Sequence, residues 1–315
     1  MSAKTTIRAL LEKGEFIWSP CIYDCTSARV VELCGYNAIL LSSCEMEYAM
    51  NGTPAGVASW EEYIWATERI AHLSSLPLIV DGEDGGGKPM LVYRNCKRIA
   101  EAGAMAISIE DSVSRGIHVD YIYASINDYM DAELWATNVA AAVDAVKGTD
   151  CMIIARTNCK GDGAPEIGAI SGIGTGLGLE EAIRRAIMGT QAGAEITMIQ
   201  NICHKDCKAE CMEIVERVPG YRFYPDIHAS DGVPDVTIDQ LKQWGFHLLS
   251  NHAAMKGATK GMMEYNLKNF QNQNTVYSEN DEFYGMGHVF TPFKFENWVE
   301  LDKRYISYEK KLRNQ

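Results

Sequence analysis

Short apolar runs of strand length alternate along the chain with amphipathic segments of helix length. This alternation predicts repeated βα units around a parallel sheet, whose strands are covered on both faces. The runs predicted as strands are residues 16–22, 38–41, 78–80, 104–109, 151–155, 196–199, 221–224 and 246–249. Helical patterns lie between them, at residues 26–34, 60–72, 90–102, 134–146, 179–191 and 236–243. The pattern indicates an α/β fold with the unit number of a (β/α)8 TIM barrel.

Several helical segments end in a small-residue turn directly before the next strand. These turns are Cys34-Gly35-Tyr36, Glu101-Ala102-Gly103, Gln191-Ala192-Gly193 and Gln243-Trp244-Gly245. Glycine after the last turn provides the left-handed conformation that ends a helix without a Cβ clash. Their recurrence, without a Pro- or Ser-rich linker, predicts one barrel domain over residues 1–265. The less periodic residues 266–315 are predicted to form a C-terminal helical extension that packs on the barrel or on a neighbouring subunit.

Residues 161–178 (GDGAPEIGAISGIGTGLG) interrupt the pattern with a glycine-rich segment that has no amphipathic period. The glycines do not fit the G-x-G-x-x-G fingerprint of dinucleotide sites, and no Lys-Ser/Thr ending of a P-loop follows them. Long loops in compact domains are often functional. The segment is therefore either a lid over a site after the fifth strand or a flexible surface insertion.

Composition and charge narrow the classes of partner. The chain has 315 residues, 47% of them hydrophobic, and a formal net charge of −13 from 29 basic and 42 acidic residues. A surface for nucleic acid or an anionic membrane needs clustered Lys and Arg, so neither partner is expected. Small molecules or proteins are the expected partners.

The N-terminal segment and the cysteines indicate the compartment. No apolar segment followed by a cleavage site begins the chain, and no stretch approaches the ~20 apolar residues of a membrane span. The ten cysteines lie in apolar segments without paired spacing, which is typical of reduced, buried thiols. These features predict a soluble, cytoplasmic protein.

Polar residues follow the predicted strands at the end where (β/α)8 enzymes carry their active sites. The groups, in strand order from the second, are Ser42-Ser43-Cys44-Glu45, Asp81-Gly82-Glu83-Asp84, Glu110-Asp111, Arg156-Thr157-Asn158, Gln200-Asn201 and Asn251-His252. Five of these side chains are carboxylates at the ends of two adjacent strands, which repel one another unless a cation or protons compensate them. Hard oxygen ligands favour Mg²⁺ or Mn²⁺ over Zn²⁺. The alternative is that these residues are helix caps and solvated turn residues.

Arg156 ends the otherwise apolar run of residues 151–155. Its planar guanidinium can bind a carboxylate with two hydrogen bonds. The residue is therefore either a substrate clamp or one half of a structural ion pair.

The order of these motifs resembles the isocitrate lyase and phosphoenolpyruvate mutase superfamily over about residues 16–265. The motifs are Tyr23-Asp24, Ser27-Ala28-Arg29, Ser43-Cys44, Ser59-Trp60, Asp81-Gly82-Glu83-Asp84 with three further glycines, Ile109-Glu110-Asp111, Ala155-Arg156-Thr157, residues 178–186 (GLEEAIRRA) and Asn251-His252. The resemblance implies a (β/α)8 barrel enzyme that acts on a small 2-oxo or 2-hydroxy acid. Relatives assemble as tetramers by exchanging a C-terminal helix, which implies a homotetramer or a homodimer.

The resemblance also implies roles for individual residues. Asp81, Glu83 and Glu110 would hold Mg²⁺, or Mn²⁺, largely through water. The substrate-binding residues implied are Ser43 and Cys44, through their backbone N–H groups, with Asp81, Arg156, Gln200 and Asn251. Arg156 would also be catalytic.

The chain departs from the family at the residues that move protons. The lyases carry a Lys-x-Cys-Gly-His loop after the fourth strand, where this chain reads Asp111-Ser112-Val113-Ser114-Arg115-Gly116-Ile117-His118. The turn after the second strand has Ala55 where relatives have Asp, and the Lys-x-Asn-Ser loop of the mutase is absent. His118 is either the replacement catalytic acid–base group or a solvated loop residue, and Glu45, Glu47 and Tyr48 are the other candidates.

Three cysteines at four-residue spacing, Cys203, Cys207 and Cys211, would lie on one helical face, and His204 is beside them in the sequence. They suggest either a metal or redox site or, as we favour, buried thiols that pack as small apolar groups, because no second cluster completes a tetrahedral set.

The leading functional hypothesis is a Mg²⁺-dependent lyase or hydrolase that breaks a carbon–carbon bond next to a carboxylate through an enolate-like intermediate. The first alternative is phosphoenolpyruvate mutase or phosphonopyruvate hydrolase chemistry on a carbon–phosphorus bond. The second is a barrel without turnover that binds a 2-oxo acid. The sequence does not name the substrate.

Overall fold

The structure is a computed structural model that describes residues 4–53, 56–112, 129–161, 176–202, 207–227, 233–279 and 290–313. The chain divides into two compact units, Met1–Met255 and Lys256–Gln315.

The first unit contains a closed barrel of eight parallel strands in sequence order, which confirms the predicted fold class. The strands are β1 (Ile17–Ile22), β2 (Ile39–Leu41), β3 (Leu78–Asp81), β4 (Ala106–Glu110), β5 (Met152–Thr157), β6 (Ile196–Ile199), β7 (Tyr221–Tyr224) and β8 (Leu248–Asn251). β1 pairs with β8 as well as with β2, so the sheet has no open edge.

Several strands extend farther at their C-terminal ends than the apolar runs predicted. β3 includes Asp81, β4 includes Glu110, and β5 continues through Arg156 and Thr157. An apolar run ends at the first polar residue, whereas the backbone ladder continues, since it depends on N–H and C=O groups. The polar residues of the mouth are therefore part of the sheet, which fixes their direction.

Alternation along each strand separates the barrel interior from the face that packs on the helices. One buried cluster contains side chains that face the interior: Ile17, Ala38, Ile79, Ala106, Met152, Ile154, Ile196, Met198, Phe223 and Leu248. The same period places Asp81, Ser108, Glu110 and Arg156 on the interior face, at the C-terminal ends of β3, β4 and β5. The site residues of three neighbouring strands thus point toward one axis.

A helix that precedes the first strand, α1 (Ile7–Glu12), closes the opposite end of the barrel. Its apolar residues Ile7, Leu10 and Leu11 are buried in the same cluster as the interior side chains. Arg8 reinforces this position, because its Nη2 donates to Oε1 of Glu195, directly before β6, at 2.7 Å.

Helices α2 to α9 surround the barrel. Their bounds are α2 (Cys25–Leu33), α3 (Ser43–Asn51), α4 (Trp60–Leu73), α5 (Pro89–Glu101), α6 (Ala132–Ala145), α7 (Gly178–Gln191), α8 (Cys207–Arg217) and α9 (Ile238–Trp244). Polar caps define several starts: Asp24, Ser59 and Thr237 each accept a backbone N–H and form a capping box. Gly245 ends α9 in the left-handed conformation that the sequence predicted.

The segment after β2 is a helix, which the hydrophobic pattern did not predict. Ser42 caps α3 by accepting the backbone N–H of Glu45, and Gly52 ends the helix at φ 66°. Four of the nine residues in α3 are polar and they are spread along it, so the segment lacks the apolar stripe by which the other helices were recognised. This helix carries Ser43, Cys44 and the acid–base candidates that follow them.

The second unit contains most of α10 (Ala254–Asn272), with α11 (Val276–Glu279), a short 3₁₀ helix (Thr291–Phe293) and α12 (Phe295–Arg313). Within this unit the rings of Tyr265 and Tyr277 lie 5.5 Å apart. Among the residues described, no helix has both the length and the apolar composition needed to cross a membrane.

Candidate active site

Asp81 lies at the centre of the polar groups on the interior face. Its Oδ1 accepts the Ser108 hydroxyl at 3.0 Å, and its Oδ2 accepts the Ser43 hydroxyl at 3.2 Å. The guanidinium of Arg156 lies 3.1 Å from the same Oδ2. The ends of β3, β4 and β5 and the first turn of α3 thus converge on one carboxylate.

Arg156 bridges two carboxylates across three adjacent strands. Its Nη1 contacts Asp81, and its Nη2 lies 3.2 Å from Oε2 of Glu110. Glu110 and Arg156 are register partners in the β4–β5 ladder, so the backbone itself sets them side by side. The Arg156 side chain is only 14% exposed, and a planar cation fixed this way is oriented before any ligand arrives.

The environment of Glu110 disfavours its charge. Burial raises the pKa of this carboxyl, the Arg156 cation opposes the rise, and the Asp81 carboxylate adds to it. The side chain of Asn158 donates to Oε2 of Glu110 at 3.0 Å and accepts from Nε of Arg156 at 3.0 Å. Asn158 therefore holds both members of the ion pair.

The glycine-rich turn after β3 packs closely against β4. A Cβ at Gly82 would lie 2.6 Å from the Ser108 carbonyl oxygen, so only glycine fits there. Glu83 follows at φ 48°, a left-handed conformation that is uncommon outside glycine, and its carbonyl accepts the Glu110 N–H at 2.8 Å. Glu83 is buried, and its backbone joins the turn after β3 to the end of β4.

The other two carboxylates of the predicted cluster serve structural roles. Asp84 accepts the backbone N–H of Gly86 at 2.8 Å, as a turn residue does. Asp111 directly follows β4 and is on the outward side of the sheet, opposite to Glu110. Its carboxylate accepts a hydrogen bond from Nη1 of Arg185, on α7, at 3.1 Å. Its carboxylate also receives the Thr157 hydroxyl at 2.6 Å and the Asn158 N–H at 2.8 Å.

The donor set at the mouth suits a hard divalent cation. Asp81 and Glu110 lie on either side of the Arg156 guanidinium, and the buried Glu83 follows in the turn after β3. In the described part of the chain, no three His, Cys, Asp or Glu side chains are close enough to surround an ion directly. A metal that binds here would therefore keep several water ligands, which is the usual behaviour of Mg²⁺.

Ser43 and Cys44 are the first two residues of α3. The first turn of a helix has N–H groups without helical acceptors and a partial positive charge, which together attract anions. Burial raises the pKa of the Cys44 thiol to about 12, with Glu83, Glu45 and Asp81 adding to the shift. Cys44 is therefore a neutral thiol near pH 7 and can contribute its backbone N–H rather than a nucleophile.

The acid–base candidates on α3 lie in different surroundings. The Glu47 carboxylate is fully buried and accepts the backbone N–H groups of Gly56, Val57 and Ala58, at 2.8 to 2.9 Å, and the Tyr63 hydroxyl at 2.7 Å. It anchors the chain after α3. Tyr48 is exposed, whereas Glu45 is buried.

Two predicted substrate-binding residues lie apart from the contacts around Asp81. The backbone N–H of Gln200 donates to the Thr157 carbonyl at 2.9 Å, which joins the end of β6 to β5. Oδ1 of Asn251 accepts Nε1 of Trp18 at 2.7 Å, and Trp18 packs edge-on against Tyr36. By strand alternation Asn251 has the outward parity of Leu249, so its amide lies on the helix side of the barrel.

His118, Ala55, Cys203, His204 and most of the glycine-rich segment 161–178 lie outside the described residues. Their predicted roles stay predictions. Of the cysteine group, Cys207 and Cys211 are buried on α8 with their sulfur atoms 3.9 Å apart, and the Tyr224 hydroxyl lies 3.3 Å from Cys207.

Asn158, Ser108 and Arg185 contact the site residues, although the sequence did not predict a role for them there. A signal for Ser108 was present, since it stands two residues before Glu110 and therefore shares its face. Asn158 follows Arg156 at the same spacing. Arg185 lies inside a helix far along the chain, and its contact with Asp111 depends on the closed barrel.

Comparison with known proteins adds the family. The model of the family described as phosphoenolpyruvate phosphomutase matches residues 7–270. The petal death protein of Dianthus caryophyllus is 29% identical over 98% of this chain and 91% of its own length. The 2,3-dimethylmalate lyase of Eubacterium barkeri is 24% identical over 84% of this chain and 85% of its own length.

A solved structure of phosphonopyruvate hydrolase in complex with oxalate and Mg²⁺ has a similar fold. It superposes with a TM-score of 0.76 at 20% identity, over 95% of this chain and 98% of that chain. At this level of identity the superposition supports the barrel fold alone.

Proposed function

Since the chain belongs to the phosphoenolpyruvate phosphomutase family, we propose that it is a Mg²⁺-dependent enzyme that cleaves a carbon–carbon bond of a small 2-oxo or 2-hydroxy carboxylic acid. The observation that carries the proposal is Arg156, fixed on the interior face between Asp81 and Glu110. This arrangement offers an oriented cation and an excess of carboxylate oxygens in one mouth, as an enolate-forming site requires.

Asp81, Glu83 and Glu110 would hold the metal, directly or through water. When bound, Mg²⁺ supplies a Lewis acid that polarises a substrate oxygen, and Mn²⁺ can serve the same donor set. The donor chemistry at the mouth supports this assignment, because the carboxylates of Asp81 and Glu110 lie on either side of one guanidinium and offer the hard oxygen ligands that Mg²⁺ prefers.

The residues of this chain would bind and orient the acid. The N–H groups of Ser43 and Cys44 receive its carboxylate at the start of α3. The guanidinium of Arg156 donates to the oxygen on which negative charge develops as the bond breaks. Gln200 is the proposed additional donor to the substrate, and Asn251 would need to release Trp18 to take part.

Carbon–phosphorus chemistry is the second candidate, and the description of the matching family favours it. The same hydrogen-bond donors would bind the substrate of that reaction, because phosphonopyruvate is also a 2-oxo acid. The missing Lys-x-Asn-Ser motif favours carbon–carbon cleavage instead. His118 stays the sequence-based proposal for the proton-transfer group.

We propose a cytoplasmic homotetramer or homodimer as the working form. The nine cysteines of the described residues are free thiols, which fits a reducing compartment. Residues 1–265 would be the barrel domain and residues 266–315 the extension. Sedimentation analysis would measure the oligomeric state.

The proposed function is tested with a panel of 2-hydroxy dicarboxylates, oxaloacetate and phosphonopyruvate, each with Mg²⁺ and with a chelator. We expect metal-dependent turnover of one carbon–carbon substrate, and its loss in Asp81→Asn. Asp84→Asn is the matched control, because an asparagine oxygen keeps the turn bond to Gly86 and only the charge is lost. Turnover that is unchanged by the chelator and by Asp81→Asn would contradict the proposed metal site. Oxo acid binding without turnover of any substrate would favour the binding-protein alternative.

A further inference from the structure

A histidine and a buried carboxylate meet on the side of the barrel mouth formed by β1 and β8. Nδ1 of His252 lies 3.1 Å from Oε1 of Glu45. On the other side of the ring, Nε2 of His252 lies 3.7 Å from Sγ of Cys21. The ring is therefore held at one nitrogen by a carboxylate, and its other nitrogen has a weak, long contact with sulfur.

Strand alternation places this pair at the substrate side of the sheet. Leu248 faces the interior, and every second residue along a strand points to the same side. Ser250 and, directly after β8, His252 are therefore on the interior side as well. Cys21 has the parity of Ile17 in β1, and it is buried. The ring of His252 thus contacts an interior-facing residue, whereas its neighbour Asn251 is on the outward face.

The first turn of α3 connects this pair to the carboxylate site. Ser43 donates to Asp81, and two residues later Glu45 contacts His252. Both side chains belong to the same turn of one helix, whose start is fixed by the cap from Ser42. The pair and the Asp81 cluster are therefore two sides of one mouth.

The second oxygen of the Glu45 carboxylate lacks a hydrogen bond in the described part of the chain. Its Oε2 is buried, and it has no hydrogen-bond partner among the described residues. An anion buried in this way is stabilised by a positive charge beside it. The arrangement accordingly favours the imidazolium form of His252.

We infer that His252, held by Glu45, is the group that moves a proton in the reaction proposed above. The inference rests on that proposed function. When the carbon–carbon bond of a 2-hydroxy acid breaks, the hydroxyl becomes a carbonyl and releases its proton to water, and the electron pair of the broken bond stays on the enolate fragment. Nε2 of His252 donates its proton to that fragment, a C–H bond forms, and His252 becomes neutral until water returns the proton. Glu45 is a positioning residue that contacts Nδ1 of the ring.

Electrostatics agree with a proton donor at neutral pH. Cys21 and then Glu45 raise the pKa of His252 above its ordinary value, while burial opposes the rise. Burial raises the pKa of Cys21, and the neighbouring His252 ring opposes that rise. Among the described residues, Asp226 is a further charged group near Cys21, and burial raises the pKa of Tyr23, with Asp24 and Glu45 adding to the rise.

The other candidates on α3 suit this role less well. Glu47 uses its carboxylate to anchor four donors, and Tyr48 is exposed. His252 combines contact with the interior-facing Cys21 with a ring nitrogen that can donate a proton.

The test compares His252→Gln with His247→Gln. His247 lies just before β8 and accepts the Arg222 N–H through Nδ1, so it controls for loss of a nearby histidine. We expect His252→Gln to lower kcat by about 10²-fold with little change in KM, and His247→Gln to leave both unchanged. Because the His252 side chain is 55% exposed, added imidazole should restore part of the activity of His252→Gly.

The pH–rate profile separates proton transfer from a structural role. A proton donor is active below its pKa, so activity falls as pH rises through that pKa. Glu45→Gln removes a charge that raises the pKa of His252, and it should move this alkaline limb to lower pH. His252→Gln should abolish the limb. An unchanged kcat and limb in His252→Gln would overturn the inference, and a loss confined to His118→Gln would assign the role there.

Oxalate binding distinguishes failure of this inference from failure of the proposed function. Calorimetry with Mg²⁺ and oxalate should give the same affinity for the wild-type protein and His252→Gln, since proton transfer is not needed for binding. Wild-type protein that neither binds oxalate with Mg²⁺ nor turns over any substrate would contradict the proposed function, and His252 would then have no reaction to serve.

Discussion

Replacement of Arg185 by methionine would test how the rim of the barrel supports the site. Arg185 is almost fully buried on α7, where Nη1 contacts Asp111 at 3.1 Å and the Met130 carbonyl at 2.7 Å. Methionine keeps much of the volume and removes the charge. Asp111, with no exposed side-chain surface, would then be a buried carboxylate without its cation.

The expected loss follows from the cost of an unpaired buried charge. Removal of one partner from a buried ion pair costs about 3–5 kcal/mol in the free energy of unfolding. Arg184→Met is the matched control on the same helix, because Arg184 is 48% exposed and pairs with Glu181 at the surface. Exposed pairs contribute about 0–1 kcal/mol. The two substitutions thus separate buried from exposed pairing at adjacent positions.

The loss should also depend on pH in a defined direction. Burial already raises the pKa of Asp111, against the Thr157 and Asn158 hydrogen bonds and the Arg185 charge, and loss of Arg185 raises it further. Between the unfolded and the folded pKa, the folded protein then binds more protons than the unfolded chain, so stability falls as pH rises. The destabilisation should be larger at about pH 7 than at about pH 5.

Urea unfolding followed by tryptophan fluorescence measures this difference. Trp135 is a suitable reporter, since it is buried beside β4 and donates to the Ile109 carbonyl at 3.3 Å. The double variant Arg185→Met/Asp111→Asn should recover part of the stability because the unpaired charge is gone. Equal losses for Arg185→Met and Arg184→Met, or a loss that does not change with pH, would refute the reasoning.

Three further substitutions test the site and its supports. Arg156→Lys should lower kcat/KM by about 10²-fold, because an ammonium cannot bridge two carboxylates as the planar fork does, and wild-type kinetics would show that the fork is dispensable. Glu47→Gln should lower the free energy of unfolding by about 2–4 kcal/mol, measured in urea, since an amide cannot accept all four donors; an unchanged midpoint would contradict this. Gly82→Ala should reduce Mg²⁺-dependent oxalate binding, measured by calorimetry, because its Cβ would push against the Ser108 carbonyl; unchanged affinity would show that the turn adapts.

The fold could be predicted because it depends on periodicities that are local in sequence. β6 and β7 lie where the apolar runs placed them, and α4 starts at the predicted Trp60. α3 escaped prediction because its sequence, SCEMEYAMN, has no clear apolar stripe, so its caps alone define it. Strand ends were also missed, because their ladder hydrogen bonds do not depend on the side chains.

The sequence predicted those site residues that can be recognised from a single strand end. Asp81, Glu110 and Arg156 were found because each is polar at the end of an apolar run. The sequence alone did not show which side of the sheet each side chain faces. The alternation along β8 in the structure puts Asn251 on the outward side and its neighbour His252 on the interior side. The contact between Glu45 and His252 spans most of the barrel sequence, and no local pattern encodes it.

The helix α1 has a consequence for the order of folding during synthesis. Ile7, Leu10 and Leu11 are made first, yet they pack against a ring of side chains that includes Leu248 of the last strand. At about 5–20 residues per second, the ribosome needs tens of seconds to complete that ring. During this time the apolar face of α1 has no finished binding surface and is available to a chaperone. Closure of the barrel floor is therefore a late event, because it joins a segment made before β1 to the last strand of the barrel.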